Sequence, residues 1–171
     1  MLRVWLPLNK GLDNFGASNL HFSTVSTTYT SSTSGLFGNC YYNNSNTAGG
    51  IVSNTTIDLG DHLSMFCWVK LDSFYASSNL TGILGQHRYG SNQGMGITMK
   101  YLSASTGKLP VNTGNGSSRT YNTYIGNTTL NSGTWYHVGF TYDGNTIKLY
   151  VNGNLDGTQA YTGQKNVADY I

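Results

Sequence analysis

At 171 residues the chain has the length of one ordinary domain, enough for a sizeable core. Its net charge of +2 rests on only 9% charged residues, which excludes the basic footprint of a nucleic-acid binder and an acidic tail. Abundant Asn, Ser, Thr, Gly and Tyr suit a sheet protein with polar outer faces, held in an assembly or outside a cell. No run reaches the length of a membrane-spanning helix. The opening Met1 to Leu8 lacks the long apolar stretch and small-residue cleavage site of a signal peptide.

In chain order, Val4, Leu6 and Leu8 alternate with Trp5 and Pro7, which predicts an edge strand because Pro within a sheet belongs at edges or ends. Leu20 to Val25 alternates and predicts a second strand. Ser26 to Ser34 is almost all Ser and Thr and reads as a loop or a weak, solvated strand. Leu36 to Tyr42 predicts a strand with a bulge or bend at Gly38-Asn39. Ile51-Val52 is short. Leu63 to Lys70 follows, then a loop from Asp72 to Asn79. Leu80 to Gln86 and Gly96 to Leu102 predict strands joined by the glycine-rich stretch Arg88 to Gly94. Lys108 to Val111 is short, Asn112 to Ser118 reads as a polar loop, and Arg119 to Ile125 as a strand.

The sharpest stretch is Gly133 to Gly157. Tyr136, Val138, Phe140 and Tyr142 recur every second residue, the period of a pleated strand. Asp143-Gly144 turns the chain, and Ile147, Leu149 and Val151 share one face of the next run. Asn152-Gly153 is the strongest short hairpin signal, and Leu155 to Tyr161 completes a three-stranded antiparallel meander. No segment sustains apolar spacing at 3.6, so almost no helix is expected. Many short strands separated by turn residues predict an all-β antiparallel sandwich over residues 1–171, with Trp68, Val138, Phe140, Leu149 and Val151 in the core.

Trp135, His137-Val138, the Tyr142-Asp143-Gly144 turn and Leu149-Tyr150-Val151-Asn152-Gly153 together resemble the laminin-G-like domains of the concanavalin A-like lectin/glucanase superfamily. Leu63 to Lys70, ending in Trp68-Val69-Lys70, looks like another strand of the same domains. The resemblance covers roughly Leu36 to Ile171 and implies a jelly roll. It implies a further strand after the meander, about where Asp169-Tyr170-Ile171 ends the sequence. A neighbouring subunit or more chain is the expected filler of that edge. The opening Leu2 to Asn9, with Leu12-Asp13-Asn14 and Gly16, is similar to the start of laminin-G-like proteins of tailed-phage virions. That likeness implies a particle surface as location, assembled in a host cytoplasm, with other virion proteins, copies of this chain or host glycans as partners. Neither nucleic acid nor membrane insertion is expected.

Chemistry is sparse. Glycosidases of the superfamily need paired carboxylates about 5–9 Å apart, yet all 7 acidic residues are Asp. The closest pair, Asp58 and Asp61, points to opposite faces of an extended chain, so no enzymatic activity is expected. His21, His62, His87 and His137 lack zinc-site spacing, and a structural hydrogen bond is the expectation for His137. No cofactor is expected. Calcium, which some laminin-G-like domains bind, would use Asp58 and Asp61, since Asp143 is accounted for by its turn. Sugar binding needs aromatic faces and planar hydrogen-bonding side chains, and Tyr75, Arg88, Tyr89, Asn92, Gln93 and Trp135 are the candidates. The alternatives are a purely structural decoration or assembly domain and a divergent glycan-processing domain. The 2 cysteines, Cys40 and Cys67, lie in apolar strand-like runs. Buried free thiols are the default, and a bridge requires their strands to be neighbours.

Overall fold

The computed structural model describes residues 21–24, 29–43, 51–53, 62–74, 81–86, 93–115 and 118–162, and these form strands joined by turns without a helix. The Val4 to Leu8 edge lies outside them. The chain divides into two compact units, Met1–Thr56 with Tyr170, and Ile57–Asp169 with Ile171.

The first unit holds β1 (Phe22–Thr24), β2 (Tyr29–Gly35), β3 (Gly38–Asn43) and β4 (Ile51–Ser53). β1 pairs with β4 and β2 with β3, both antiparallel. The Ser/Thr-rich stretch is therefore a hairpin strand from Tyr29 onward, with a register shift between Ser32 and Gly35, because β3 supplies the ladder that its composition alone does not demand. Leu36 and Phe37 are not strand residues as expected. They form the hairpin tip, with Phe37 68% exposed, and Gly38 bends the chain at φ 106°.

The second unit is the sandwich. Its first sheet runs β14 (Asn154–Ala160), β13 (Thr146–Val151), β12 (Tyr136–Tyr142), β5 (Leu63–Val69). Its second runs β10 (Arg119–Ile125), β9 (Pro110–Asn115), β7 (Gln93–Ser103), β8 (Thr106–Lys108), β11 (Leu130–Asn131), with β6 (Thr81–Gln86) also on β7. Asn112 to Asn115, expected as loop, is strand because it lies between β7 and β10, and Asn112 and Thr113 are buried.

Register sets the core. Val138 pairs with Cys67 and Val151, Phe140 with Met65 and Leu149, and Tyr142 with Leu63 and Ile147. Across-ladder partners share a face, so these side chains point together and meet Met95, Ile97, Met99, Val111 and Leu130 of the other sheet, and Leu109 between β8 and β9. Each such buried side chain contributes about 1.5–3 kcal/mol. Val138, Phe140, Leu149 and Val151 are core as expected, but Trp68 is not. Cys67 takes the inward position on β5, which turns Trp68 outward, 45% exposed. Cys40 and Cys67 are both free and half-buried, and burial pushes the Cys67 thiol up to about 12.

Candidate functional site

Strand alternation that sends Val138 and Phe140 inward sends His137 and Gly139 outward. The same parity places Phe66 and Trp68 of β5, and Tyr150 of β13, on the outer face. His137 stands directly across the ladder from Trp68, and Gly139 stands between Phe66 and Tyr150. The rings touch in sequence. Trp68 and His137 have centroids 5.2 Å apart, His137 and Phe66 lie stacked at 5.5 Å and 18°, and Phe66 reaches Tyr150 at 5.8 Å.

Gly139 makes this possible. A Cβ there would fall inside the Phe66 ring, so the missing side chain is the slot across which Phe66 lies toward Tyr150. The backbone beneath is fixed by the neighbouring turn: the His137 amide donates to Asn152 Oδ1 at 2.9 Å, and the Asn152 amide donates to the His137 carbonyl at 2.7 Å. Phe66 remains 41% exposed and Trp68 45%. Outward positions in the adjoining row, Ser64, Thr141 and Lys148, carry hydroxyls and an ammonium. A face of contiguous rings bordered by hydrogen-bonding groups offers both an apolar surface and polar partners to a flat, hydroxylated molecule.

The expected ligand residues divide between described and undescribed parts of the chain. Tyr75, Arg88, Tyr89 and Asn92 lie outside the described residues, as do Asp58 and Asp61. Gln93 opens β7, its backbone paired with Asn115. Trp135 is described. It precedes β12, half-buried, with the Lys70 ammonium 5.7 Å from its ring centroid. Asp143 serves its turn: its Oδ1 accepts from the Asn145 and Thr146 amides at 3.0 and 2.7 Å. Those amides, with a smaller contribution from Lys148, hold its carboxyl below the usual carboxylate range. No group of three or more His, Cys, Asp or Glu side chains gathers among the described residues. His137 contributes its backbone to the turn and its ring to the face. Phe66, Trp68, His137 and Tyr150 are not among the ligand candidates read from the sequence, where Trp68 is expected in the core and His137 in a structural hydrogen bond. The alternation of Leu63, Met65, Cys67 and Val69 was the signal that could have placed Phe66 and Trp68 outside.

No curated protein matches the chain. A family model described as concanavalin A-like lectin/glucanases superfamily, Laminin_G_3, matches residues 44–170. With that match over most of its length, the chain belongs to the laminin-G-like branch of the concanavalin A-like lectin/glucanase superfamily.

Proposed function

We propose that the chain is a non-catalytic carbohydrate-binding module and that its ligand lies across Phe66, Trp68, His137 and Tyr150. The observation that carries this reading is the run of four touching rings on the outer face of a sheet, with Phe66 and Trp68 exposed and His137 and Tyr150 half-buried. Membership of a superfamily of lectins and glucanases supports a saccharide as the ligand. The absence of glutamate from the sequence supports binding without hydrolysis. In this reading no metal or cofactor takes part, and EDTA leaves binding unchanged. The likeness of the opening stretch to phage virion proteins extends the reading to adhesion at a particle surface, toward host glycans, in contact with other virion proteins. The test is a glycan array probed with the purified chain and with Phe66→Ala and Trp68→Ala. Selective binding by the parent, lost in both variants, is the expected result. Binding retained in both would remove the aromatic face from the role.

A second reading, an assembly domain that binds no sugar, is favoured by the apolar tip of the β2–β3 hairpin, where Leu36 and Phe37 are exposed.

A further inference from the structure

The ladder between β5 and β12 continues past the four rings. Tyr136 pairs with Val69 at the end of that ladder, and Trp135 and Lys70 are the residues that flank this last pair. Carried one residue beyond the strands, the same alternation puts both on the outer face, with His137 and Trp68. The placement of the Lys70 ammonium over the indole agrees with that parity. Same-face positions on a strand repeat about every 7 Å, which makes Trp135 the next aromatic station beyond Trp68 and His137. Yet its ring differs from the other four. Its ring meets a cation, the Lys70 ammonium, 5.7 Å from its centroid. Among the described residues Lys70 has no ion pair that would hold it elsewhere.

We propose that Trp135 is a further saccharide position on this face and that Lys70 guards it. The inference rests on the glycan-binding reading and adds a length rule to it. A short saccharide fits on Trp68, His137, Phe66 and Tyr150 and never reaches the indole. A chain that covers those rings and runs on along the strands meets Trp135 next. There the ammonium and the sugar compete for one ring face, because both interact with the flat side of the indole. Lys70 has a flexible four-carbon stem and swings aside when a longer ligand seats. Its contact with the indole is half-buried and, at 5.7 Å from the centroid, near the outer limit of such contacts, so the guard lowers affinity for long chains without forbidding them. Trp135 thus adds affinity only for chains long enough to displace Lys70.

The experiment uses the full chain and soluble forms of five neutral polysaccharides: a cellulose derivative, xylan, mannan, laminarin and pullulan. Affinity electrophoresis finds the one retained best. The disaccharide and hexasaccharide of that polymer are then titrated by calorimetry. With Trp135→Ala, hexasaccharide binding weakens by about tenfold, the upper end of what one aromatic contact supplies, and disaccharide binding is unchanged. Trp135→Phe restores most of the loss. Lys70→Ala tightens the hexasaccharide and leaves the disaccharide alone. Disaccharide binding in every variant doubles as the control for folding. If Trp135→Ala changes both lengths alike, or neither, the proposal is overturned while the four-ring reading stands. If Lys70→Ala weakens or does not change the hexasaccharide, Lys70 is no guard. If the parent chain retains none of the five polymers, the glycan reading falls and this proposal falls with it.

Discussion

Gly139 decides the shape of the aromatic face although it contributes no atom to its surface. Its neighbours across the ladder are Phe66 on one side and Tyr150 on the other, and Phe66 occupies the space a Cβ would take. Its backbone is ordinary extended strand, so alanine there is conformationally acceptable and by itself is worth about 0.4–1 kcal/mol through the unfolded chain. The displaced ring gives back a similar amount in lost contacts. Gly139→Ala should therefore change the urea midpoint little while forcing Phe66 off β12 and opening the Phe66–Tyr150 contact. Glycan binding should fall about tenfold, equivalent to 1.4 kcal/mol, and a variant that binds like the parent would show that ring continuity is irrelevant. The same residue shows why the site was hard to read beforehand. Leu63, Met65, Cys67 and Val69 alternate with Ser64, Phe66, Trp68 and Lys70, and both sets contain apolar residues. Side-chain size favours Trp68 inward. The register opposite β12 decides otherwise, because Cys67 and Met65 stand across from the fully buried Val138 and Phe140. That pairing is a long-range fact; the local signal that agrees with it is that one set is apolar throughout while the other includes Ser64 and Lys70.

Among the strands, those closed by tight turns were the legible ones. The meander β12–β13–β14 forms as its alternation and its turn dipeptides require, and Asn152 and Gly153 take φ of 51° and 81°. Two consecutive positive values are the twist that matches the flanking strands. A β-branched side chain at the second of them meets the steric cost of left-handed backbone, so Gly153→Val should lower stability by about 1–2 kcal/mol. Chemical denaturation measures this, and a neutral result would mean that the turn is remade in another form. The strands β2, legible only as a loop or a weak strand, and β9, whose Asn112 to Asn115 reads as loop, were harder to read. The serines of β2, and Asn112 and Gly114 in β9, carry weak intrinsic preference and adopt strand because neighbours in space complete their ladders.

Across the second unit, the two sheets share apolar side chains, but one polar link also joins them. β14 carries a bulge where Leu149 pairs with Gly157 and Tyr150 with Leu155, leaving Asp156 unpaired between them. The bulge turns Asp156 inward, where it is only 5% exposed. Its carbonyl accepts from the Asn127 amide and from Asn127 Nδ2, at 3.1 and 2.7 Å. Its Oδ1 accepts from the Thr128 amide at 2.9 Å and from the Thr128 hydroxyl. Asn127 and Thr128 follow β10, so this edge strand of the first sheet is pinned to the end of an edge strand of the second. Its Oδ2 meets no hydrogen-bond donor among the described residues and lies where a Cβ on Gly126 would stand. Removing the carboxylate strands the Thr128 amide and hydroxyl, so Asp156→Ala should cost about 1.5–3 kcal/mol. Gly126→Ala should also destabilise, because its methyl and Oδ2 cannot share one space. In the Asp156→Ala background that conflict is gone, and the added methyl should be neutral or stabilising. The two substitutions together should therefore cost less than their separate costs combined, with a coupling of about 0.5–3 kcal/mol, the range for residues in contact. Denaturant unfolding of the four proteins in this cycle measures the coupling directly, and simple additivity would show that Asp156 and Gly126 do not meet at the junction of the sheets.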